Sequence, residues 1–123
     1  MFNKVPFLAY ICVENETMLS TEKLFTSLRK GLLEFCVIRI LKDGEAYPAD
    51  VVERLKSAGL HMPEGTLYPL LNRLKDEGYL AYSWKESSSG PPRKYFRLTE
   101  KGLDLAGQYQ EAWRRLKEAI DRI

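Results

Sequence analysis

A single histidine, His61, and two cysteines, Cys12 and Cys36, are the only imidazole and thiol groups in this chain of 123 residues. No CxxC pair and no Cys/His cluster occurs, so the spacings that hold structural zinc are absent. Two cysteines make no disulfide framework either, and a reducing, cytosolic compartment fits this usage. Cys36 falls in a dense apolar run, where a cysteine acts as a small hydrophobe. His61 has no carboxylate or cysteine motif beside it and reads as structural or exposed. No nucleophile is paired with a base and no glycine-rich loop is built to cradle a phosphate, so neither an enzyme nor a cofactor is expected. Long hydrophobic runs are missing too. Residues 7–13 (FLAYICV) are too few to span a bilayer, and Glu14 and Glu16 follow at once. They read as a peripheral, weakly folded segment, and Met18 would open a shorter chain. Excess charge of one sign is also scarce. A net charge of +2 permits a polyanionic partner without demanding one.

What is present has the makings of one soluble domain. Hydrophobic residues at 45% and charged residues at 29% are ordinary for a chain that builds a single core. Residues 27–42 (SLRKGLLEFCVIRILK) read as a helix buried on most sides, closed by Asp43-Gly44. Pro48-Ala49-Asp50 opens a second helix with Val51, Val52, Leu55 and Ala58 on its apolar face and Gly59 as its stop. Residues 64–80 (EGTLYPLLNRLKDEGYL) carry Leu67, Leu70, Leu71 and Leu74 on one stripe and Gly78 as the stop. Pro69 is tolerable there if it falls in the first turn, which places the start near Gly65-Thr66 with Thr66 as N-cap. Residues 79–86 alternate as a strand, and Trp84 reads as core. SSSGPP reads as a long flexible loop tip, with residues 94–98 returning as a second strand. A last helix follows. Along it Leu103, Ala106, Tyr109, Trp113, Leu116, Ile120 and Ile123 recur three and four residues apart.

Helix, helix, helix, hairpin, helix is the plan of a winged helix-turn-helix, mainly α with one small β-hairpin. Residues 1–24 then form an N-terminal extension, 25–98 the winged domain and 99–123 a terminal dimerisation helix. In such a plan the third helix seats its leucines on the core and turns a polar front outward. Thr66, Tyr68, Asn72, Arg73 and Lys75 are available for that front. With Pro69 near its start, the free N–H groups there can meet a phosphate. Tyr68 can bond a phosphate oxygen, Asn72 can pair with adenine, and Arg73 can meet guanine or phosphate. At the hairpin, Ser89, Arg93 and Lys94 suit sequence-independent phosphate contact.

The run EGTLYPLLNRLKDEGYL, followed by W-x-E-S-x-S-G-P-P-R-K-Y-F-x-L-T-E-x-G, resembles the PadR family of bacterial transcriptional regulators, over residues 28–102. The resemblance implies a dimeric, operator-binding regulator, usually a repressor, of the compact branch with a short terminal arm. Many members carry a His-Gly-Tyr tripeptide at the head of the second helix. Tyr47-Pro48-Ala49 stands there in this chain, so contacts ascribed to that tripeptide do not carry over.

The terminal stripe gives a physical reason for pairing. A small domain cannot cover Leu103, Ala106, Tyr109, Trp113, Leu116 and Ile120 alone, and a second copy would remove them from water. Two reading heads on a two-fold axis call for an inverted repeat with half-sites about 10 bp apart or a multiple of it. Trp113 would then face its mate, and two rings can bracket a flat aromatic effector. The competing expectation is a winged-helix module for protein–protein contacts that does not read DNA.

Overall fold

The computed structural model describes residues 20–123. The apolar stretch at residues 7–13, Cys12 and the Met18 start lie outside the described residues. Two compact units divide the chain, Met1–Leu33 and Glu34–Ile123.

The first unit contributes helix α1 (Thr21–Lys30). Ser20 caps it, its hydroxyl accepting the Lys23 N–H at 3.2 Å. Glu22 at the start and Arg29 and Lys30 at the end complement the helix dipole. The single helix expected over residues 27–42 is two. Gly31 occupies the C-cap, the Leu32 N–H bonds back to the Arg29 carbonyl at 2.8 Å, and α2 (Leu33–Lys42) begins afresh. The apolar periodicity runs through the break, so it hides a glycine that costs a helix interior about 1 kcal/mol. Helix α1 also starts ahead of the expected boundary at residue 24.

In the second unit, α2 is followed by α3 (Pro48–Ser57), α4 (Glu64–Asp76), β1 (Leu80–Ser87), β2 (Gly90–Leu98) and α5 (Glu100–Arg122). Pro48 opens α3 as expected, and the Asp50 carboxylate accepts the Tyr47 N–H at 3.3 Å. Gly59 and Gly78 both take positive φ, +87° and +88°, just past α3 and α4. There they let the Leu60 and Tyr79 N–H groups turn back to the Leu55 and Leu74 carbonyls. Phe35, Val37, Ile38, Leu41, Val51, Leu55, Met62, Leu67, Leu71, Leu74, Leu80 and Phe96 are buried together, so every helix from α2 to α4 and both strands seat on one core.

Helix α4 starts earlier than expected. Pro63 holds the N-cap position, and its carbonyl accepts the Thr66 and Leu67 N–H groups at 3.0 and 3.1 Å. Thr66 is therefore inside the first turn and caps nothing. Pro69 becomes the sixth helical residue, and the Gly65 carbonyl loses its i+4 donor. A proline and an acidic Glu64 suffice to start the helix at the pair that precedes Gly65-Thr66.

The hairpin is tighter than the composition of its tip suggested. β2 begins at Gly90 and not at residue 94, leaving Ser88-Ser89 as the turn. Lys85 pairs with Arg93 and Ser87 with Gly90, so Pro91 and Pro92 together oppose Glu86 in a bulge. Two residues that cannot donate to a ladder fit where the ladder is already interrupted. At the base, Phe96 exchanges both backbone hydrogen bonds with Ala46, which extends the sheet by one residue.

Helix α5 is clasped to the end of α4. Thr99 caps it, accepting the Gly102 N–H at 3.1 Å while its hydroxyl donates to the Gly78 carbonyl at 2.6 Å. The Lys101 ammonium donates to the Glu77 carbonyl at 2.7 Å. A Cβ built on Gly102 would lie 2.1 Å from the Tyr79 carbonyl oxygen, so only glycine lets the helix pass this close.

Candidate nucleic-acid interface

The polar front of α4 is outside the core as its periodicity demands. Leu67, Leu71 and Leu74 are buried, and Thr66, Tyr68, Pro69, Asn72 and Arg73 are exposed. Tyr68, Asn72 and Lys75, spaced four and three residues apart, share the flank that faces the wing. The Lys75 ammonium lies 5.7 Å from the centre of the Tyr82 ring on β1.

The cations of this surface are mostly engaged. Arg73 donates to Glu34 of α2 and, at 3.2 Å, to Glu77. Glu34 also accepts the phenol of Tyr109 from α5, and the Tyr109 ring stacks on Phe35 with centroids 5.3 Å apart. Three helices thus meet at one carboxylate. The hydrogen bond to Glu34 raises the Arg73 pKa, and burial first, then Glu34, raises that of the Tyr109 phenol well above the ordinary tyrosine range. Spacing within α4 could not reveal that Arg73 is held this way, because Glu34 lies 39 residues away.

On the wing, Arg93 donates to the Tyr47 hydroxyl at 2.8 Å, with its guanidinium carbon 4.7 Å from that ring's centre. Tyr47 in turn contacts the Tyr95 ring at 5.4 Å. Tyr47, at the N-cap of α3, is thus a support for the wing. Lys85 pairs with Glu45 and lies over Tyr95. Lys94 lies 4.1 Å from the Tyr82 ring centre. Ser89 is exposed at the turn, its N–H reaching the Ser87 hydroxyl at 3.4 Å. Trp84, expected in the core, is 63% exposed. It shares a face with buried Leu80, but the body of the domain ends before the strand does.

The stripe of α5 divides in two. Ala106 is buried and Tyr109 is turned onto α2, so both make contacts within the protomer. Trp113 is half-buried. Leu116, Ile120 and Ile123 stand out at 52%, 58% and 103% exposure, and Leu103 at 50%. Among the described residues no helix is long and apolar enough to cross a membrane, and no cluster of His, Cys, Asp or Glu could hold a metal.

A leucine-backed helix, a brace before it and a two-stranded wing beside it define a winged helix-turn-helix DNA-binding regulator. The family model for the PadR-like transcriptional regulators matches residues 37–107. The chain belongs to that family, whose members regulate transcription and are not enzymes. It is 44% identical to a PadR-like transcription factor from Bacteroides fragilis, covering 81% of this chain and 97% of that one, with a TM-score of 0.69. A PadR family regulator from Eggerthella lenta is 30% identical, covers 94% and 95%, and superposes at 0.76. PadR of Bacillus subtilis, solved in complex with operator DNA, shares the fold at 21% identity over 64% of this chain and 46% of that one, with a TM-score of 0.59.

Proposed function

We propose that this protein is a cytoplasmic, homodimeric repressor that binds an inverted-repeat operator. The observation that carries the reading is the continuity of one polar surface: Tyr68 and Asn72 on the exposed flank of α4 run through Lys75 to the cations of the wing. Asn72 reads a base edge, Tyr68 bonds a phosphate oxygen, and Thr66 and Lys75 flank them. Pro69 keeps the start of the helix short of one backbone bond. Lys94, Arg93 and Ser89 hold the flanking backbone. Arg73 acts mainly by positioning α4 through Glu34, and Coulomb attraction to the backbone supplements that role. The Bacillus subtilis relative that shares this fold was solved with operator DNA, which agrees with a duplex as the partner.

Dimerisation runs through the outer turns of α5, with Leu116 and Ile120 at the seam, Leu103 and Trp113 beside them. Coupling two heads turns weak single contacts into one strong one. A flat aromatic effector held between the two Trp113 rings would change the angle between the arms and draw the heads out of register. Quenching of tryptophan emission by planar phenolic compounds tests that element, and silence across a broad panel removes it.

The decisive experiment is selection of genomic fragments by the purified protein, followed by affinity measurements across salt. Recovered fragments should share an inverted repeat, and affinity should fall steeply and log-linearly with salt. Retention of no fragment even at low salt would point instead to a module for protein contacts.

A further inference from the structure

The face of β1 that holds Leu80 begins as core and ends in water. Leu80 is 2% exposed, Tyr82 38% and Trp84 63%, each two residues further along one side of the strand. The Tyr82 and Trp84 rings meet edge to face, 6.3 Å apart at 86°. Opposite Trp84 in the ladder is Lys94. Its ammonium lies 4.1 Å from the Tyr82 ring centre, 5.9 Å from that of Trp84 and 5.5 Å from that of Phe96. From α4, Lys75 reaches the same Tyr82 ring. Among the described residues Lys94 has no carboxylate partner. Exposing two adjacent aromatic rings is unfavourable unless something covers them. The proline bulge at Pro91-Pro92 gives the tip little freedom to fold over them.

We propose that Tyr82, Trp84 and Lys94 form a contact strip for duplex DNA beyond the segment read by α4. Trp84 is the apolar wedge set against the sugars and base edges of the minor groove, and Lys94 takes the adjacent phosphate. The inference rests on the DNA-binding reading above and adds to it a residue outside the set of polar contacts. Charge selects the occupant. An aromatic patch built for another protein would not need a cation over each ring, whereas a polyanion with apolar sugar faces matches both features. Continuity agrees, because Lys75 joins the strip to the flank carrying Tyr68 and Asn72. A wedge in the minor groove partly unstacks a base step and bends the duplex. Flanks with flexible pyrimidine–purine steps should therefore bind more tightly at positions that no polar side chain reads.

The test uses the full chain labelled with fluorotryptophan, which has two tryptophans and so two fluorine signals, with Trp84 assigned by Trp84→Phe. Duplex fragments selected by the wild-type protein are the probe. The Trp84 signal should shift and saturate with the binding isotherm. Trp84→Ala should weaken binding about tenfold with the salt slope unchanged, and Lys94→Gln should lower that slope by about one. Trp84→Phe should recover part of the loss. A Trp84 signal that stays still while fragments bind with a steep salt dependence would overturn the strip and leave the regulator reading standing. A signal that moves with protein concentration in the absence of DNA would assign the strip to a contact between copies and overturn it equally. Failure of the wild-type protein to retain any duplex at low salt would remove the regulator reading first, and the strip with it.

Discussion

Gly102→Ala isolates the joint between the winged body and α5. The added methyl would sit 2.1 Å from the Tyr79 carbonyl oxygen and 3.1 Å from Leu98 Cδ2. An ordinary carbon–oxygen contact is about 3.3–3.6 Å, so the helix start must move by roughly 1 Å. Tyr79 cannot give way freely, because its carbonyl also accepts the Thr99 N–H at 3.1 Å. Moving α5 instead pulls Gly102 from Thr99 and Thr99 from Gly78. Overpacking of this kind costs about 1–3 kcal/mol, and a disturbed N-cap about 1 kcal/mol more. Against that, alanine in a helix gains about 1 kcal/mol over glycine. The balance is a loss of roughly 2 kcal/mol, or a fall in Tm on the order of 8 °C for a domain of this size. Gly107→Ala is the control, since nothing lies within 4 Å of its added Cβ and only the propensity gain remains. Thermal melts followed by circular dichroism at one protomer concentration make the comparison. If Gly102→Ala melts at or above the wild-type temperature, the joint is not close-packed and the reasoning fails.

Ile120→Glu should weaken self-association. Losing one apolar side chain from each of two copies removes roughly 3 kcal/mol, above a hundredfold in dissociation constant, and sedimentation equilibrium that shows no change would exclude the outer turns of α5 as the seam. Pro69→Ala restores a donor for the Gly65 carbonyl and should raise stability by up to about 3 kcal/mol while weakening binding to selected fragments; a lower Tm would mean that α4 accommodates the proline without penalty. Tyr109→Phe should flatten the alkaline loss of stability. The neutral phenol is favoured in the fold, so its contribution is complete below the ordinary tyrosine pKa of about 10 and declines as pH climbs through the raised folded value. Equal slopes for the two proteins in melts between about pH 9 and 11 would show that burial against Glu34 does not govern the ionisation.

Much of this molecule was readable from one chain because its elements are locally announced. The leucine spacing of α4, the stops at Gly59 and Gly78 and the alternation of β1 are short-range signals, and each survived into the structure. The errors came where a local backbone exception or a distant partner decides. Gly31 splits a periodic run because a neighbouring turn can use it as a cap. Pro63 starts α4 early because its own carbonyl takes the first donors. Pro91 and Pro92 look like loop, yet a bulge admits both. Arg73 looks like a free cation until Glu34 is brought to it, and Trp84 looks like core until the domain ends beneath it. Tyr47 carried no local sign of supporting the wing, because its partner Arg93 is 46 residues away.

The clasp of Thr99 and Lys101 on the Gly78 and Glu77 carbonyls, just past α4, has a mechanical outcome. The joint between α4 and the arm is short: the two carbonyls that follow α4 are bonded by side chains at the start of α5. With 23 residues, α5 is about 35 Å long. A pivot of about 5° at the clasp therefore sweeps its far tip through about 3 Å, close to the rise of one base pair. A lever of that gearing runs both ways, so in the proposed dimer a tilt of the arms would re-aim both copies of α4.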